Sequence, residues 1–143
     1  MQFFNAIKAD GTYTLTAGAG DDNITLGSGA DILLFATDYL TSSDTINGGG
    51  GTDILKLTNA STVIDADFTN VTNVETITQN TASDGMNLNL GSLAAGAGLV
   101  TVTGGTGTNS VTIGSGYNPD EIISMISRAS LSIAYGETLT NLL

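Results

Sequence analysis

Four aspartates carry the clearest chemical pattern in this chain. Asp22 and Asp31 stand nine residues apart, whereas Asp22 and Asp44, and likewise Asp31 and Asp53, are separated by 22. Glycines lie two and four residues before Asp22, Asp31 and Asp53, and Ile24, Leu33, Ile46 and Leu55 lie two residues after the four aspartates. There is no His and no Cys, which removes zinc and copper sites, thiol nucleophiles and disulfides. Oxygen is the donor that remains for a metal. Calcium, which takes six to eight oxygens from carboxylates and backbone carbonyls, is the metal this composition suits. The same residues also admit a metal-free reading, in which each aspartate closes an Asx-turn at a corner of the chain.

Other chemistry is poorly provided for. The acid pairs Asp21 with Asp22 and Asp65 with Asp67 have the residue type for acid–base work on a glycan. Adjacent or alternating acids beside glycine-rich turns read better as solvated corners or calcium ligands. No nucleophile stands with a base, and Lys8, Lys56 and Arg128 are too scattered to form an anion site. The glycine strings lack the G-K-[ST] that a phosphate loop requires. A non-enzymatic protein is expected.

The aspartates belong to repeats. Residues 17–25 (AGAGDDNIT) and 26–34 (LGSGADILL) are in direct tandem, 48–56 (GGGGTDILK) repeats the pattern, and 104–112 (GGTGTNSVT) repeats it with Asn109 at the acidic position. This resembles the RTX, or haemolysin-type, calcium-binding nonapeptide G-G-x-G-x-D-x-U-x, where U is a large apolar residue. The resemblance implies a parallel β-roll whose six-residue turns bind calcium and whose three-residue strands bury U. It implies that the ion sits between stacked turns, held by sixth-position carboxylates and turn carbonyls. The best pair is then Asp31 with Asp53, flanked by Gly27 and Gly29 on one turn and Gly49 and Gly51 on the other. Asp22 with Asp44 is second, because one of its turns lacks glycines, and the turn at Asn109 is a poor site. Glycine admits the positive φ of a tight turn, and the D-x-U ending alternates as a strand does, outward then inward.

The remaining elements must hold those turns in register. A coil of 22 residues stacks each aspartate pair on one side of the roll. Residues 35–43 form an enlarged turn before Asp44-Thr45-Ile46 restores the D-x-U ending. Phe68, Val71, Val74 and Ile77 recur at spacing three within 67–79, which looks like the segment that follows degenerate RTX coils in bacterial surface-layer proteins. Residues 86–90, 99–102 and 111–113 are further short strands with Gly-rich or Asn-rich corners. The expected fold is all-β, a parallel β-solenoid or β-roll of about four or five coils with a short C-terminal helix and terminal arms. One domain is expected, divided into an arm or cap at 1–11, the solenoid at 12–117 and a helix plus tail at 118–143. Asn118-Pro119-Asp120-Glu121 opens the helix, 119–129, with Ile122, Met125, Ile126 and Ala129 on one face. Leu131, Ile133 and Tyr135 alternate as a strand, and the tail ends with Leu139, Leu142 and Leu143. Solenoid ends need covering, so Phe3, Phe4 and Ile7 are assigned to one cap and the helix to the other. The alternative is that Leu131 to Leu143 adds a strand to a neighbouring subunit.

Composition bounds the setting. In 143 residues, 14 acidic side chains against 3 basic ones give a net charge of −11, which repels nucleic acid. An apolar content of 41% supports a core, and no run is long enough to span a membrane. The first residues show no basic stretch followed by an apolar one, so no signal peptide is expected. The profile points to a structural assembly protein that associates with itself and with a larger protein shell or surface layer. A decoration or cement protein on a virion exterior is the first expectation. A secreted or surface-layer RTX calcium-binding module is the alternative, and a glycan-binding adhesin module the third.

Overall fold

Runs of three to five residues with apolar side chains at every second position suit strands buried on one face, and glycine turns between them return the chain to begin another. The computed structural model describes residues 2–4, 10–36, 38–79, 85–105, 107–117 and 131–135. Its strands are β1 (Gln2–Phe4), β2 (Thr14–Thr16), β3 (Asp22–Thr25), β4 (Ile32–Phe35), β5 (Thr45–Asn47), β6 (Ile54–Leu57) and β7 (Ser61–Ile64). After a 3-10 turn (Asp65–Phe68) come β8 (Val71–Thr72), β9 (Thr76–Gln79) and β10 (Met86–Leu90). A five-residue helix, α1 (Ser92–Gly96), precedes β11 (Thr101–Thr103), β12 (Asn109–Ile113) and β13 (Leu131–Tyr135).

Among the described residues every strand pairing is parallel, and three sheets result. Sheet A runs β1-β3-β5-β8, sheet B runs β2-β4-β6-β9-β11, and sheet C runs β7-β10-β12-β13. The fold is the expected parallel β-solenoid of about four turns. Along sheet B, Leu15, Leu33, Leu55, Ile77 and Val102 lie in register, so successive coils take 18, 22, 22 and 25 residues. The 22-residue coil therefore describes the middle of the roll and not its ends.

The cross-section changes along the axis. From β2 to β6 the chain alternates between sheets B and A, giving a two-faced roll. From β7 onward sheet C adds a third face, and α1 follows β10 and packs on the 3-10 turn of the previous coil. The enlarged turn serves this transition. Asp38, in a left-handed conformation, accepts a 3.1 Å bond from the amide of Thr62 in β7, the edge strand at which sheet C begins. Satisfying an exposed strand edge with a side chain blocks further pairing there.

The core is one continuous column. Ile24, Leu33, Ile46, Leu55, Ile77, Leu88, Val111 and Ile113 are buried along the strands, and Phe68, Val71 and Val74 fill the corners of the 67–79 coil. Burying such side chains stabilises by about 1.5–3 kcal/mol each, before the entropy of ordering the chain is counted. One detail departs from the expected alternation. The aspartate of D-x-U faces the same way as U, since residues two apart in a strand share a face; Asp22 and Ile24 are both buried while Asn23 between them is exposed.

The ends differ from free arms. Phe3 and Phe4 lie in β1, the edge strand of sheet A, and Leu131, Ile133 and Tyr135 lie in β13, which pairs with β12 of the same chain. Residues 131–135 of the segment offered to a neighbour thus already form a strand of their own roll. Ile7, Leu139, Leu142, Leu143 and the helix expected at 119–129 lie outside the described residues. α1 was not expected; the stretch between residues 90 and 99 reads as a Gly-rich corner between two strands. Its amino end is held from the preceding coil, where Asp65 accepts amide bonds from Gly91 (2.8 Å), Ala94 (2.9 Å) and Leu93 (3.3 Å). Asp65 is therefore a helix cap supplied across coils, not half of an acid–base pair, and Asp67 accepts the Ile64 amide within its own turn. Asp65→Ala is expected to lower stability by about 1 kcal/mol, equally with and without calcium. Urea unfolding in both buffers reads this, and a calcium-dependent loss would contradict it.

Candidate metal centre

The turns from sheet A back to sheet B stack on one side of the roll: the glycine turns 26–31 and 48–53, then the shorter, glycine-free turn 73–75. Their acidic residues form a ladder. Asp31 Oδ1 accepts the amide of Tyr13 at 2.7 Å, Asp53 Oδ1 accepts the amide of Asp31 at 2.8 Å, and Glu75 Oε2 accepts the amide of Asp53 at 2.8 Å. Each rung reaches back one coil, so register between coils fixes the position of every carboxylate. Asp31 and Asp53 are each 1% exposed.

One oxygen of each is used in this way. The other, Asp31 Oδ2 and Asp53 Oδ2, is buried and has no hydrogen-bond partner. Leaving a buried charged oxygen unserved is costly, and burial pushes the Asp53 carboxyl up from 3.8 to about 6. The amide of Asp31 opposes that rise, and the neighbouring charges of Glu75 and Asp31 add to it.

The glycines let the turns approach. Gly49 and Gly51 have positive φ, at 95° and 112°. Gly29 does not need that conformation; it needs the space, because a Cβ there would lie 2.2 Å from the Gly11 carbonyl oxygen. The turns also bond directly, with the amide of Gly50 donating to the Gly27 carbonyl at 2.8 Å.

On the opposite side, Asp44 stands below Asp22. Asp44 Oδ1 accepts the Asp22 amide at 2.8 Å, and Oδ2 accepts the Thr41 amide at 2.7 Å and the Thr41 hydroxyl at 3.3 Å. Both Asp44 oxygens are thus engaged, Oδ1 by the previous coil and Oδ2 within the enlarged turn. Asp67 follows one coil later, its carboxyl raised by burial and by the charges of Asp44 and Asp38 against the Ile64 amide.

Asn109 supplies an internal comparison. It is buried in the same repeat position, and its Oδ1 accepts the amide of Met86 at 3.2 Å, as the aspartates accept theirs. Its Nδ2 donates to the carbonyls of Gly105 at 2.9 Å and Gly107 at 3.0 Å. These are positions two and four of the repeat, equivalent to Gly27 and Gly29, and to Gly49 and Gly51. Gly104 and Gly48, the first residues of their repeats, would each place a Cβ 2.6 Å from the δ2 atom of the sixth residue. Asp53 Oδ2 thus stands as close to the first glycine of its repeat as the Asn109 amide nitrogen does in its own. An amide there satisfies the turn carbonyls, whereas a carboxylate oxygen meets them with like polarity unless a cation intervenes. That is the fit of these turns to calcium.

Parallel coils whose glycine turns bury stacked carboxylates define a β-roll of the cation-binding kind. A family model for the RTX calcium-binding nonapeptide repeat, described as four copies, matches residues 14–35 and 40–56. Those residues are RTX repeats, and repeats of this family bind calcium. No curated protein and no solved structure matches the chain.

Glu75 was missed in the sequence. It lies 22 residues beyond Asp53, the same interval that relates Asp31 to Asp53, but neither a glycine turn nor an aspartate marks it. Without calcium, the raised Asp53 carboxyl sets a pH dependence. Above about pH 6 it is charged in the folded and unfolded chains alike, and the fold bears the full cost of burying it. As pH falls from about 6 towards 3.8 the folded chain takes up a proton that the unfolded chain does not, so stability rises; below 3.8 there is no further gain from this group. The calcium-free protein is expected to melt higher at about pH 5 than at about pH 7.5 through this linkage. A melting temperature that falls steadily across that window would contradict it.

Proposed function

We propose that the chain is a secreted or cell-surface RTX-like module in which calcium locks a β-roll into a rigid structural element, and that it carries out no catalysis. The observation that carries this reading is the pair of buried, unserved oxygens on Asp31 and Asp53, set beside the Asn109 turn where an amide fills the same place. Calcium would be held by these carboxylates with carbonyls of the turns containing Gly27, Gly29, Gly49 and Gly51. Asp22 and Asp44 make a weaker second position, because both Asp44 oxygens already have partners. Bound calcium neutralises the carboxylates and ties one coil to the next. The repeats favour this setting over a virion coat. Among the described residues no helix is long and apolar enough to cross a membrane.

Calorimetric titration of the full chain with calcium, and with magnesium as control, tests the reading. Saturable calcium binding with little magnesium response is expected, because Mg²⁺ demands a tighter octahedral shell and gives up water reluctantly. Absence of calcium heat would sink it. We further propose that the module associates with copies of itself through the edge strands of sheet B, β2 and β11. Light scattering in EDTA and in calcium reads this directly, and a monomer in both buffers would remove it.

A further inference from the structure

The geometry points to a second cation seat one step further along the stack, between the turn 48–53 and the turn 73–75, completed by Glu75 and the Asn73 carbonyl outside the repeats. It rests on the calcium reading above and extends it to a turn with no nonapeptide pattern. Three observations place it.

Asp53 Oδ2 is buried without a hydrogen-bond partner. The Cβ position of Gly48 lies 2.6 Å from that oxygen and 1.9 Å from the Asn73 carbonyl oxygen, so carboxylate and carbonyl crowd one point that only a glycine leaves open. Asn73 holds a left-handed conformation, φ 54°, and its side chain is tied to Asn47 Oδ1 at 2.8 Å, which anchors that turn against the one above. Glu75 then closes the arrangement. Its Oε2 takes the Asp53 amide, as Asp53 takes that of Asp31.

The residue type follows from the turn. In the repeats six residues separate the strands, and an aspartate at the sixth reaches the previous coil. Between β8 and β9 only residues 73–75 intervene, and the side chain that meets the Asp53 amide from this shorter turn is one methylene longer. The donors are all oxygen: two carboxylates and a backbone carbonyl. This is the donor set of a hard divalent cation, and calcium is the one already implied next to it.

The test is the number of calcium ions bound by the full-length chain, measured by titration calorimetry and equilibrium dialysis for the parent, Glu75→Gln and Asp31→Asn. Glu75→Gln keeps an oxygen for the Asp53 amide and removes the charge. It is expected to lose one equivalent, or to bind it about tenfold or more weakly, while Asp31→Asn keeps that equivalent and loses another. Glu75→Asp, which retains the charge but withdraws it by one methylene, is expected to weaken the same equivalent if the glutamine variant does not fold. Calcium binding by a Glu75 variant equal to the parent's in number and affinity would overturn the second seat and leave the first intact. A parent chain that binds no calcium would overturn both.

Discussion

Millimolar calcium is expected to raise the midpoint of thermal unfolding by about 10 °C or more, and Asp53→Asn to abolish that rise while melting higher than the parent in calcium-free buffer. The first half is mass action. A site filled at a hundred times its dissociation constant adds about 2.7 kcal/mol, and each kcal/mol moves the midpoint of a domain in this size range by roughly 2–8 °C. The second half follows from the atoms. Asparagine keeps Oδ1 for the amide of Asp31 and places an NH₂ where Oδ2 was, which is the arrangement Asn109 already shows with Gly105 and Gly107. It also removes the buried charge whose cost is visible in the raised carboxyl. Stabilisation without the metal and loss of the response to it are thus one substitution's two signs. Thermal melts by circular dichroism, with and without EDTA, measure both. A variant that melts below the parent in EDTA and still gains from calcium would show that Asp53 is a structural carboxylate and not a ligand.

Asn109→Asp is the converse and should be the more damaging. The change deletes two hydrogen bonds to turn carbonyls and sets a buried anionic oxygen facing them. Without calcium the expected loss is about 2–4 kcal/mol, the cost of unserved buried polar groups with a charge among them. Calcium should return at least half of it, converting a metal-independent coil into a metal-dependent one. An unchanged melting temperature in EDTA would mean that the amide contributes nothing at that corner.

The β-roll and its aspartate column were readable because a nine-residue repeat sets both the strand phase and the turn, and a 22-residue interval sets the stack. The interval alone was enough to reach Glu75, but a search for glycine and aspartate passes over a glutamate in a three-residue turn. The inward face of the aspartates was also available, since residues six and eight of a repeat share a side. Other features were not available. Sheet C and α1 depend on how the wider coils of 23 to 25 residues close, and residues 57–64 and 92–96 carry no repeat to announce it. Asp65 reads as a solvated corner or a calcium ligand in the sequence, because the amides it accepts, those of Gly91, Leu93 and Ala94, are more than 25 residues away.

The switch from two faces to three divides the molecule mechanically. In the two-faced part Asp31 and Asp53 each keep a buried oxygen without a hydrogen-bond partner, whereas in the three-faced part the described corner groups Asp65 and Asn109 are served by hydrogen bonds within the chain. With calcium at those carboxylates, a chelator is expected to soften the two-faced coils and leave the three-faced ones stiff. Pulled along its axis in low calcium, the protein would pay out its N-terminal coils first, lengthening like a tether whose far end stays anchored. Restoring the ion would rewind the slack onto coils that had never come apart.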